Sequence, residues 1–144
     1  MAGLRVAVAS PPGYAPDTGV VAEAMAIAAT TGGDVYVTED PKEAVEGADA
    51  VYTDVWTSMG MEGQESQRRR ALGPYGVDSK LMSAAPAHAI VLHCLPAHRG
   101  QEISADVIDG PRSRVFLQAH NRLPTTAALF LFLCNESALR ELSA

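Results

Sequence analysis

Short apolar runs rich in β-branched residues alternate with helix-forming stretches along the chain, and nothing else in the sequence constrains the fold as tightly. Residues 4–10 (LRVAVAS), 34–40 (DVYVTED), 49–56 (DAVYTDVW), 89–95 (AIVLHCL) and 113–119 (SRVFLQA) read as strands closed by turn residues. Helical stretches lie between them. Residues 18–29 place Val21, Met25 and Ala28 on one face, with Asp17 as N-cap and TGG as the stop. Pro41 opens a short helix that Gly47 ends, Asp78 begins another, and Ser104 caps a third. A final helix is expected to start near Pro124 and run to about Leu142.

Crossovers of this length join parallel strands through right-handed βαβ units. The expected fold class is α/β, a three-layer, doubly wound, mainly parallel five-stranded sheet, as one domain over residues 1–144. Ligands on such a sheet sit beyond the carboxyl ends of the strands. Three motifs fall there: SPPGY after the first strand, DVWTSMG after the third, and HCLPAHR after the fourth. A long polar connection, TSMGMEGQESQRRRALGPYGV, follows the third strand, with a helical turn expected around residues 65–71. Loops of that length in compact domains tend to carry function.

Composition narrows the partners. With 144 residues, 47% apolar and 19% charged, the chain can bury a core and is not a disordered segment. A net charge of −6 argues against nucleic acid or an anionic membrane as partner, and RRR at residues 68–70 reads as a solvated helix face. The most apolar stretch, AALFLFLC, is far shorter than the ~20 residues that span a bilayer. Cys94 and Cys134 form no CxxC pair and no signal peptide heads the sequence, so a reducing, cytoplasmic setting is expected.

The fold class is Rossmann-like, yet no dinucleotide motif accompanies it. Binding a pyrophosphate needs GxGxxG after the first strand, whereas SPPGYAPD offers one glycine and prolines that lack the N–H. A metal site at His93, Cys94 and His98 lacks ligand spacing, because adjacent strand residues point to opposite faces. Cys94 reads equally as a nucleophile activated by His93, His98 or Arg99, and as a buried thiol. Asp54, Ser58 and Gly60 suit an amino-acid zwitterion, or form only a turn.

Together, DVWTSMG (residues 54–60) and HCLPAHRG (93–100) resemble the ornithine-binding half of the ornithine carbamoyltransferase family. PYGVDSKLM, DGPRS and NRL follow in the family's order. The resemblance implies transfer of a carbamoyl group from carbamoyl phosphate to L-ornithine, giving L-citrulline and phosphate, with no cofactor and no metal. It assigns Asp54 to the ornithine amino group, and Ser58 and Met59 to its α-carboxylate end. Cys94 lies against the reacting amine and helps remove its proton. Leu95 and the Pro96 turn orient the carbamoyl amide with His93 as loop support, and Arg122 reaches the carbamoyl phosphate oxygens. The family's carbamoyl-phosphate-binding half, with its Ser-x-Arg-Thr loop, is absent from these 144 residues, so the chain alone is expected to be inactive. His120 stands where an acidic residue usually precedes the Asn-Arg pair, and Pro124 follows Leu123. The alternative is a non-catalytic assembly module. Its partner is the missing N-terminal domain or another copy, paired through the all-round apolar last helix.

Overall fold

The computed structural model of the chain describes residues 3–57, 60 and 62–135, and the statements below concern these residues. In order they form β1 (Arg5–Ala9), α1 (Thr18–Thr31), β2 (Asp34–Thr38), α2 (Pro41–Val45) and β3 (Ala50–Thr53). Then come α3 (Glu65–Leu72), α4 (Ser79–Ala84), β4 (Ile90–His93), α5 (Ala105–Ile108) and α6 (Val115–Leu133). Local chemistry sets the boundaries. The Asp17 carboxylate accepts the N–H groups of Gly19 and Val20 at 2.8 and 3.1 Å, which satisfies two orphan donors at the start of α1. Gly32 ends that helix at φ 74°, a left-handed conformation glycine adopts without a Cβ clash. Asp40 caps α2 through Lys42 N–H, with Pro41 in the first turn.

Both strand pairings are parallel, as the α/β alternation implies. β1 pairs with β2 from Arg5 opposite Asp34 to Ala9 opposite Thr38, and β3 with β4 from Ala50 opposite Ile90 to Thr53 opposite His93. Among the described residues the two pairs are not joined into one sheet. A cleft of about 290 Å³ is lined from both pairs, and the small side chains of Ala7, Ala9, Ala44, Ala48 and Ala50 leave it open.

The expected fifth strand over residues 113–119 does not form, so the α/β class holds with four strands among the described residues. Ser113 makes a single parallel bridge beside Val91, and the chain is helical from Val115. Burial explains the difference. A strand beside β4 would bury alternate residues, whereas here Val115 is buried, Phe116 and Leu117 are exposed, and Gln118 and Ala119 return to the protein's side. Nor does the last helix start at Pro124, which lies inside α6 and leaves the His120 carbonyl without its helical donor.

The core is lopsided. Val45, Val51, Val77, Leu81, Met82, Ala85, Ala89, Val91, Ile103, Val107, Ile108 and Val115 form one cluster around β3, β4, α4 and α5. Each larger aliphatic side chain there contributes about 1.5–3 kcal/mol by leaving water. From β1, α1 and β2 only Ala28 is a buried apolar residue, and Leu4, Val6, Met25 and Val37 are exposed. Met25 therefore does not share the buried face expected of it with Val21 and Ala28. No described helix is long and apolar enough to cross a membrane.

Candidate functional site

Parallel register brings the two strand ends together. Thr53 stands opposite His93, so the next residues, Asp54 and Cys94, leave β3 and β4 side by side. Both segments turn at once. Asp54 Oδ1 accepts the Val55 N–H at 2.7 Å, and Leu95 takes a left-handed φ of 58°, unusual for a branched residue. The Cys94 thiol donates to Asp54 Oδ1 across 2.9 Å. That hydrogen bond, followed by burial and the carboxylate's charge, raises the thiol pKa above its ordinary value. A nucleophilic cysteine needs the opposite shift, so the geometry favours a neutral thiol serving as part of a cup.

A buried polar layer lies behind this pair. His93 Nδ1 accepts the Leu95 N–H at 2.8 Å, which places the ring proton on Nε2. That nitrogen faces Glu102 Oε1 at 3.4 Å, and both side chains are fully buried. Glu102 Oε1 also accepts the His98 N–H. One carboxylate thus supports the loop from its far side while His93 holds Leu95 from its near side. The Leu95–Pro96 peptide is cis.

The third wall is the start of α6. Gln118 Oε1 accepts the His93 N–H at 3.2 Å, and its Nε2 donates to the Tyr52 hydroxyl at 3.2 Å. Arg122 follows one helical turn later. With Tyr52, His93, Cys94, Leu95, Gln118 and Ala119 it lines a cavity of about 380 Å³.

The structure therefore brings together Asp54, His93, Cys94, Leu95 and Arg122, with Pro96 just outside. Ser58 and Met59 lie outside the described residues. Three residues that build the site escaped the sequence reading. The sequence does not single out Glu102, while Tyr52 and Gln118 read only as members of expected strands. Arg68 also departs from a solvated role. Its guanidinium donates to the Trp56 carbonyl at 3.0 Å and stands 5.5 Å from the centre of the Tyr14 ring.

Asp54, His93 and Cys94 place ligand atoms within 4.8 Å of one another, close enough for a soft cation. The strand ends before Cys94, which removes the opposite-face objection. Recruiting His93, however, means surrendering either the Leu95 N–H bond or the Glu102 contact. Chemically the site offers a neutral thiol hydrogen-bonded to a carboxylate, with an arginine lining the same cavity. This suits a ligand carrying both an amine and an anionic group.

The model of the aspartate/ornithine carbamoyltransferase Asp/Orn binding domain matches residues 1–133. Ornithine carbamoyltransferase of Acidothermus cellulolyticus is 54% identical over 140 residues, covering 97% of this chain and 45% of that protein. The enzyme of a Parafrankia species is 56% identical over 137 residues, 95% of this chain and 43% of its own. Among solved structures, the anabolic ornithine carbamoyltransferase of Campylobacter jejuni superposes with a TM-score of 0.86 at 35% identity, over 93% of this chain and 44% of that one. That of Gloeobacter violaceus gives 0.74 at 47% identity, over 83% and 39%. The chain spans less than half the length of these relatives.

Proposed function

The chain belongs to the aspartate/ornithine carbamoyltransferase family, and we propose that it serves as the ornithine-binding half of an ornithine carbamoyltransferase. The observation that carries this reading is the Cys94–Asp54 pair at the joined ends of β3 and β4, with Arg122 lining the cavity beside it. In the reaction, the neutral side-chain amine of L-ornithine attacks the carbamoyl carbon of carbamoyl phosphate. The new C–N bond forms, the C–O bond to phosphate breaks, and the amine loses a proton. Cys94 Sγ takes part in that proton's departure, and Asp54 holds an ornithine amino group. Leu95 and Pro96 orient the carbamoyl amide, supported by His93, while Arg122 meets phosphate oxygens as charge develops. Ser58 and Met59 attend the α-carboxylate end. No cofactor or metal has a part in this scheme, and the cytoplasm is its proposed setting.

A second half supplies the remaining phosphate contacts, so the chain alone forms no citrulline and binds ornithine weakly, through one wall of a pocket. Calorimetric or NMR titration of the chain with L-ornithine should give saturable binding weaker than ~1 μM (about −8 kcal/mol) that disappears in Asp54→Asn. Binding that survives Asp54→Asn, or no binding at all, sinks the assignment.

A second reading has its own support. Leu123, Leu129, Phe130, Leu131 and Leu133 are exposed along α6, an apolar run of the kind that marks an interaction surface. In that reading the chain is an assembly module, and a further domain or a second copy covers α6.

A further inference from the structure

Helix α6 meets the rest of the molecule over a short stretch. Val115 is its one buried residue; Gln118 and Ala119 are half-buried, and residues 120–131 are exposed. One buried valine, with only the small Ala119 half-buried a turn later, does little to fix how a helix is rotated about its axis. Gln118 fixes that rotation with directional bonds. Its carbonyl oxygen takes the His93 N–H at the end of β4, and its amide nitrogen reaches the Tyr52 hydroxyl on β3. Among the described residues these are the only side-chain hydrogen bonds from α6 to the two strands. Arg122 lies four residues on, on the same helix face, and lines the cavity that holds Cys94. We propose that Gln118 is the positioning residue that sets the rotation of α6 and thereby holds the Arg122 guanidinium over the Cys94 cavity.

The inference rests on the reading of Arg122 as the anion-binding group of this site. It also explains why an exposed arginine on a weakly anchored helix can serve that purpose. The two bonds from one amide tie the helix to both strands, β3 through Tyr52 and β4 through His93. Losing them leaves the helix pinned at Val115 but free to turn, and a small turn carries a long arginine away from the cavity.

The test uses the full chain in a Cys134→Ser background, so that Cys94 is the sole thiol. Its alkylation is followed with iodoacetate and with iodoacetamide at one pH. Both reagents consume the same thiolate, so the ratio of their rates is independent of the thiol's ionisation. A cation lining the same cavity favours the anionic reagent, by roughly two- to fivefold for a largely solvent-screened guanidinium. Arg122→Gln should lower the iodoacetate-to-iodoacetamide ratio by that factor. Gln118→Met, which keeps the side chain's length and removes both bonds, should lower it nearly as far. The double variant should fall no further. A general loosening of the fold would instead raise both rates together and leave the ratio intact. An unchanged ratio in Gln118→Met overturns the proposal, as does an unchanged ratio in Arg122→Gln. Neither result depends on ornithine binding. Failure of the functional reading would therefore appear separately, as a normal alkylation pattern in a chain that ignores ornithine.

Discussion

Glu102 is a fully buried carboxylate with no countercharge in direct bidentate contact, and replacing it tests how the site is held up. In Glu102→Leu the His98 N–H loses its acceptor, and the buried His93 Nε2, which makes no hydrogen bond of its own, loses the carboxylate it faces at 3.4 Å. An orphaned buried donor costs about 1–3 kcal/mol, more when the lost acceptor was charged. The His98 N–H bond to the carboxylate stands near the upper end of that range; the His93 contact at 3.4 Å, which is not a hydrogen bond, adds about 1 kcal/mol at most. Together they amount to about 3–4 kcal/mol. Desolvation no longer spent on a carboxylate, and a leucine that packs beside Ile103, return about 1 kcal/mol. The expected loss is therefore about 2–3 kcal/mol, a large share of the ~5–15 kcal/mol typical of a domain. Glu102→Gln keeps an acceptor for His98 N–H and should lose about 1 kcal/mol or less. Urea denaturation with an unchanged m-value measures both. Amide exchange should show lost protection at Leu95 and His98 in Glu102→Leu, because the damage is local to the loop. If Glu102→Leu stays within about 0.5 kcal/mol of the parent, or Glu102→Gln falls as far as Glu102→Leu, the carboxylate is not what supports the loop.

Two further outcomes follow from the geometry. The Asp54 carboxylate raises the Cys94 thiol pKa, since losing the thiol proton sets two anions side by side; Asp54→Asn should therefore shift the pH profile of Cys94 alkylation to lower pH, and a profile that stays put or moves upward refutes the pairing. Pro124→Ala restores the missing donor to the His120 carbonyl and relieves a helix-interior proline, worth up to ~3 kcal/mol locally; because that part of α6 is exposed, far-UV circular dichroism should report more helix while global unfolding moves by less than about 1 kcal/mol, and an unchanged spectrum contradicts the account.

Much of this was legible in the sequence because it depends on neighbours along the chain. The Asp17 cap, the Pro41 start and the Gly32 stop each depend on residues within four positions of the helix end they set. The meeting of Asp54 and Cys94 was legible too, since it needs only parallel strands ending in step. What stayed hidden depends on contacts distant in sequence. Val-Phe-Leu at residues 115–117 has the composition of a strand, and its helical state is decided by which residue enters the core. Gln118 gains meaning only from Tyr52, 66 residues away. Glu102 resembles a solvated residue until its burial beneath His93 is known. The gap between the two strand pairs has no local signature, because alanine suits a tight sheet and an open cleft equally.

The uneven distribution of the core has a consequence for how the molecule would respond to a ligand. The cluster around β3, β4, α4 and α5 forms the cooperative part, whereas β1, α1 and β2 have few buried apolar contacts of their own. Anything gripping Asp54 and Cys94 grips the cooperative part alone. Its binding free energy would add to the barrier against losing that part, but leave partial opening of the first βαβ unit almost untouched. Occupancy and integrity are thus linked on one side of the cleft and nearly independent on the other. A protease working on the amino-terminal side would find much the same substrate whether the site is full or empty.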